Sequence, residues 1–159
     1  MIDRVIISAS LISILSGCGP GGKATSQPSA PVTGTPKPAD EYRRLPQENL
    51  IESKVVDREL MGKSFMPGGT LGRYEKRKRQ YEMFLSRARD ATGAAITLSD
   101  WRKALADSKL VPSFGGYFGK DGTDPVFVFS KGSWIAGIKG LPEKEADLQA
   151  RILAARLPQ

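Results

Sequence analysis

The spacing of apolar positions changes period several times along this chain, and the changes mark its elements. Between Asp90 and Asp107, Ala94, Leu98, Trp101 and Leu105 recur at i, i+4, i+7 and i+11. That spacing puts them on one face of a helix with 3.6 residues per turn. Asp90 or Thr92 is suited to cap it, and Asp100, Arg102, Lys103 and Asp107 take the opposite face. A second helix is expected after Pro142, a residue type suited to a first helical turn. Glu143 and Glu145 near its start, with Arg151 and Arg156 near its end, complement the helix dipole. Leu148, Ile152 and Ala155 form its expected buried stripe.

Elsewhere the period is two or the run is continuously apolar, which signals strands. Glu48 to Leu60 alternates loosely and reads as a strand, with a short helix after Pro46 as the rival. Pro67-Gly68-Gly69 reads as a turn. Thr70 to Tyr74 and Gln80 to Arg87 read as a hairpin, the second arm carrying Tyr81, Met83 and Leu85 at period two. After the first helix come Ser113 to Gly119, Pro125 to Ser130 and Trp134 to Lys139. The middle run, PVFVFS, is apolar on both faces and belongs centrally in a sheet. Lys131-Gly132-Ser133 makes a short hairpin turn, and Trp134, Ala136 and Ile138 share a face. The order is β-β-β-α-β-β-β-α. It implies an α+β fold with an antiparallel sheet of five to six strands and two helices covering a face.

Composition adds a boundary. Gly19 to Asp40 has nine Gly or Pro in 22 residues and one sizeable apolar residue, Val32. Such a segment cannot bury enough surface to offset its ordering entropy. It is expected to be a tether over residues 18–41, with a coil reach of about 25 Å. The single domain then spans residues 42–159. With no His and one Cys, the chain excludes a Ser-His-Asp triad, an imidazole metal site, an internal disulfide and a CxxC pair. No metal and no cofactor are expected.

The N-terminus reads as an address. Val5 to Leu15 is an apolar stretch of eleven residues broken only by serines. A bilayer-spanning helix needs about 20 apolar residues, so the stretch has the length of a signal-peptide core instead. It ends in Leu15-Ser16-Gly17-Cys18, followed by Gly19-Pro20. These residues resemble the lipobox of bacterial lipoproteins. The resemblance implies a diacylglycerol on the Cys18 sulfur, cleavage between Gly17 and Cys18, and a membrane anchor of two or three acyl chains. It also implies a cell-envelope location. If the source has two membranes, Gly19, which is not Asp, favours the outer one, with the domain facing the periplasm.

Residues 1–17 carry one Asp and one Arg, so the formal net charge of +7 survives processing. In an exported protein that charge points to anionic lipid, acidic wall polymer or another envelope protein, and away from nucleic acid. The densest cationic stretch is Arg73 to Tyr81, where Arg73, Lys76, Arg77, Lys78 and Arg79 stand against Glu75 alone. It is a candidate anionic-surface site, flanked by Tyr74 and Tyr81. Its bland alternative is a solvated hairpin tip.

Phe114, Tyr117 and Phe118 lie among glycines, and with Trp134 they form a candidate pocket for an apolar or sugar ligand. Lys120 to Pro125 contains two carboxylates around a Gly. It has too few alternating oxygens for calcium and reads as a turn. Asp100, Asp121, Asp124 and Glu82 are the carboxylates available for glycan hydrolysis, without a sign that two converge.

From Pro125 onward the order hairpin then helix resembles the second half of a thioredoxin fold, with Pro125, Lys131-Gly132 and Gly140 in matching places. With no CxxC, that implies shape alone. The block from Phe114 to Asp147 is similar to uncharacterised exported bacterial domains. The leading expectation is a lipid-anchored envelope protein with a non-catalytic binding or scaffolding domain. A periplasmic carrier or sensor and a carboxylate-based wall-glycan hydrolase are the alternatives.

Overall fold

A computed structural model describes residues 37–159 of the chain. The expected signal peptide, the lipobox-like stretch with Gly17 and Cys18, and most of the expected tether lie outside the described residues. The described part holds nine principal elements: β1 (Leu50–Arg58), β2 (Pro67–Lys76), β3 (Arg79–Arg87), α1 (Ala91–Ala104), β4 (Ala106–Val111), β5 (Gly116–Asp121), β6 (Asp124–Lys131), β7 (Trp134–Lys139) and α2 (Glu143–Arg156). The strands form one antiparallel sheet in the order β1-β2-β3-β7-β6-β5-β4. The fold is α+β. Two meanders, β1 to β3 and β4 to β7, are joined edge to edge by the pairing of β3 with β7.

The sheet has seven strands, where five to six were expected. The addition is β4. The apolar period through Leu105 suggests a helix reaching Asp107, but α1 stops at Ala104. Leu105 turns extended (φ −85°, ψ 128°) while its N–H still donates to the Trp101 carbonyl. β4 then pairs only with β5 and exposes Leu110, so it has no apolar alternation to betray it. Two further boundaries differ. Pro67-Gly68-Gly69 opens β2 rather than forming a turn: a Cβ at Gly68 would lie 2.2 Å from the Asp57 carbonyl oxygen, so Gly admits the close pass of β1. Ser113 to Gly115 is a turn preceding β5, with Gly115 at φ 68°.

Each helix takes its own face of the sheet. α1 buries Ala94, Leu98 and Trp101 against Phe84, Val126, Val128 and Ile135. Asp90 caps it, accepting from the Gly93 N–H at 2.7 Å. Trp101 stacks on Phe84, meets Phe65 edge-on and donates to the Met66 sulfur. On the other face, α2 lies over Tyr81, Met83, Phe127, Phe129, Trp134 and Ile138.

The buried stripe of α2 is not the expected one. It is Ala146, Ala150 and Leu153, continued by Leu157, whereas Leu148, Ile152 and Ala155 are exposed. The sheet supplies the bulk beneath α2, so close packing requires small residues on the helix. Lys131, the last residue of β6, secures the end of α2 by donating to the carbonyls of Ala154 and Leu157 at 2.9 and 2.7 Å.

The described residues form one compact unit. Residues 37–159 contain the whole sheet, both helices and both filled cores. This segment therefore has what it needs to fold by itself. Among the described residues no helix is long and apolar enough to cross a membrane.

Candidate functional site

The cationic stretch forms the end of the β2–β3 hairpin. Lys76 pairs with Arg79 across a two-residue turn, Arg77-Lys78. Both turn residues have positive φ, 52° and 64°. Such a turn matches the twist of the strands and ordinarily carries Asn-Gly. The β5–β6 and β6–β7 turns, Gly122-Thr123 and Gly132-Ser133, instead put a glycine at their single positive-φ position, the other favoured hairpin geometry. In the β2–β3 turn two long cations occupy the left-handed region, which costs about 1 kcal/mol each.

Alternation along the strands sorts the five cations. Lys76 and Arg79 share the α2 face with Tyr74 and Tyr81, and Arg77 joins them from the turn. Arg73 points the other way and pairs with Glu52 at 3.0 Å, so it is not part of this cluster. Lys78 is exposed at the tip. The two tyrosines lie beneath the patch rather than flanking it, stacked with ring centroids 5.1 Å apart and buried. Burial raises the Tyr81 hydroxyl above its ordinary pKa, with the Glu48 charge adding to it. Burial likewise raises Tyr74, whose hydroxyl donates to the Pro46 carbonyl at 3.0 Å.

Between this hairpin and α2 runs a groove of about 350 Å³. Lys76, Arg77 and Arg79 form one rim. Tyr81, Leu141 and Leu148 form an apolar wall, with Glu145 and Gln149 on the helix side. Glu145 is the single carboxylate there, and it pairs with Arg79 at 3.0 Å. Lys76, Arg77 and Lys78 have no ion-pair partner among the described residues. An apolar wall beneath unpaired cations suits a ligand with a negative head and an apolar body. The sequence pointed to the cations but missed Leu141, Glu145, Leu148 and Gln149. A second apolar stripe on one helix was the available signal.

Of the four aromatics proposed as a pocket, three belong to the α2-side core and Tyr117 does not join them. Phe114 and Phe118 pack on the α2 side, Phe114 meeting Phe127 and Phe129 edge-on. Tyr117 faces α1, one strand position from Phe118 and therefore on the opposite side of the sheet. Trp134 is buried in the α2-side core, with Arg44 and Arg87 near its ring.

Asp121 and Asp124 belong to an ion-pair cluster. Lys63 donates to Asp121 at 2.6 Å, and Lys139 lies 3.6 Å from Asp121 and 3.2 Å from Asp124. Burial pushes the Asp121 carboxyl up, but the hydrogen bond and charge of Lys63, helped by Lys139, outweigh it and hold the group below its ordinary pKa. A general acid needs the opposite shift. Asp100 pairs with Lys103 on the exposed side of α1, and Glu82 lies near Glu52, Lys54 and Arg73 on the α1 side of the sheet.

Neither a protein-family model, nor a curated protein, nor a solved structure matches this chain at a significant level.

Proposed function

We propose that this chain is a lipid-anchored cell-envelope protein, acylated at Cys18 after cleavage behind Gly17. Its folded domain is a non-catalytic binding module that docks on polyanionic envelope surfaces. In a cell with two membranes, the outer membrane's periplasmic side is the favoured location. The observation that carries the docking reading is the groove: three rim cations face one carboxylate, two of them without an ion-pair partner among the described residues. One of those two, Arg77, sits on a turn whose backbone ordinarily selects Asn-Gly.

Two experiments test the two halves separately. Cys18→Ser is expected to abolish acylation and leave uncleaved precursor. Wild-type membrane partitioning of that variant would overturn the anchor. Residues 37–159 are expected to sediment with phosphatidylglycerol-containing vesicles or bind dextran sulfate, with affinity falling steeply as salt rises. Failure to bind either polyanion at low salt would overturn the docking reading.

A further inference from the structure

We infer that the outer face of α2 is an interfacial membrane-docking surface, and that its occupant is an anionic lipid bilayer. At about 100° per residue, Leu148, Ile152 and Ala155 fall within an arc of about 60°. That arc lies opposite the buried Ala146, Ala150 and Leu153. Leu148 is 61% exposed and Ile152 43%. A helix that buries its alanines and presents Leu and Ile outward reverses the usual arrangement.

The same face is cationic at its edges. Lys144 stands beside the stripe, and the exposed Lys76, Arg77 and Lys78 lie at the end of the groove whose wall Leu148 forms. None of these four has an ion-pair partner among the described residues, whereas the nearby carboxylates Glu145 and Asp147 are each held by an arginine. An apolar stripe bordered by free cations complements a surface that is apolar below and anionic above. Helices of this kind lie in the membrane plane with the apolar face about 5–10 Å into the headgroup boundary. A soluble polyanion would use the cations and leave Leu148 and Ile152 without a role.

The inference rests on the polyanion-docking reading and adds that the polyanion is a bilayer. The test uses residues 37–159, which contain no Cys, so Leu148→Cys carries an environment-sensitive fluorophore at one place. With phosphatidylglycerol vesicles bearing brominated acyl chains, the label should shift to the blue and be quenched. Neutral vesicles should do neither. In an unlabelled domain, Leu148→Ser with Ile152→Ser should weaken vesicle binding by about tenfold or more and weaken dextran sulfate binding, which uses the rim cations, by about twofold or less.

Vesicle binding without quenching, and unaltered by the double serine variant, would overturn insertion while docking stands. So would binding to dextran sulfate but not to vesicles. Absence of both kinds of binding would remove the docking reading as well. Concentration-dependent self-association abolished by the serine variant would assign the stripe to a second copy and overturn the bilayer as occupant.

Discussion

Arg79 donates from Nη1 to Glu145 Oε1 over 3.0 Å, and this pair ties the cationic hairpin to α2 at the groove. Both side chains are about half exposed, so the pair contributes little to folding, at most about 1 kcal/mol. Its main effect is on the field: it occupies one cation and adds the only negative charge in the groove lining. Glu145→Gln should therefore leave the urea midpoint nearly unchanged. It should tighten binding to phosphatidylglycerol vesicles by about fivefold, the equivalent of about 1 kcal/mol per charge near an anionic surface. Weaker binding would mean that Glu145 holds Arg79 in a productive position.

The two stripes of α2 predict opposite responses to size changes. Ala150 is fully buried over an aromatic-rich sheet face. Ala150→Leu should lift the helix and cost about 1–3 kcal/mol. Leu148→Ala, on the exposed stripe, should change stability by about 0.5 kcal/mol or less. Urea unfolding of the two variants decides the matter, and equal effects would contradict the face assignment.

Asp121 predicts a pH dependence. Its folded-state pKa is depressed below the unfolded value through Lys63 and Lys139. Its stabilising contribution is therefore complete above the unfolded pKa of about 4 and is lost as pH falls through the lower folded value. Asp121→Asn should destabilise the domain by about 1–2 kcal/mol at pH 7, since the bond to Lys63 is charge-assisted and about four-fifths shielded from water. The difference between wild type and variant should shrink as pH drops below about 4. A constant gap from pH 7 to pH 2, followed by thermal unfolding, would exclude this assignment.

Where packing obeyed size and period together, the fold was legible. Ala94, Leu98, Trp101 and Leu105 are all buried, and Asp90 does cap α1. Tyr81, Met83 and Leu85 share the α2 face, as do Trp134, Ala136 and Ile138. What failed had physical reasons. β4 is an edge strand bonded on one side, so its faces impose no alternation. α2 inverts the rule that large residues go inside, because the sheet beneath it already carries the volume. Of the site, the cations were visible as a run, but the sorting of Arg73 away from Lys76 and Arg79 depends on pairing parity. The partner wall depends on where α2 crosses the sheet, which no local pattern encodes.

The β2–β3 turn offers a test in which stability and binding should move apart. Arg77 and Lys78 hold positive φ, where side chains with a Cβ are disfavoured. Asn-Gly fits that backbone without strain. Arg77→Asn with Lys78→Gly should therefore preserve the hairpin register and stabilise the domain by about 1 kcal/mol, the relieved strain being partly offset by the greater unfolded-state entropy of Gly. The same change removes two cations from the proposed docking face, so vesicle binding should fall by about tenfold or more at about 1 kcal/mol each. A variant that is both more stable and weaker in binding shows that the turn sequence serves the surface at the expense of the fold. A variant that is more stable yet binds as well as wild type would mean that Lys76 and Arg79 carry the interaction. A less stable variant would mean that Arg77 or Lys78 makes contacts that offset the left-handed backbone.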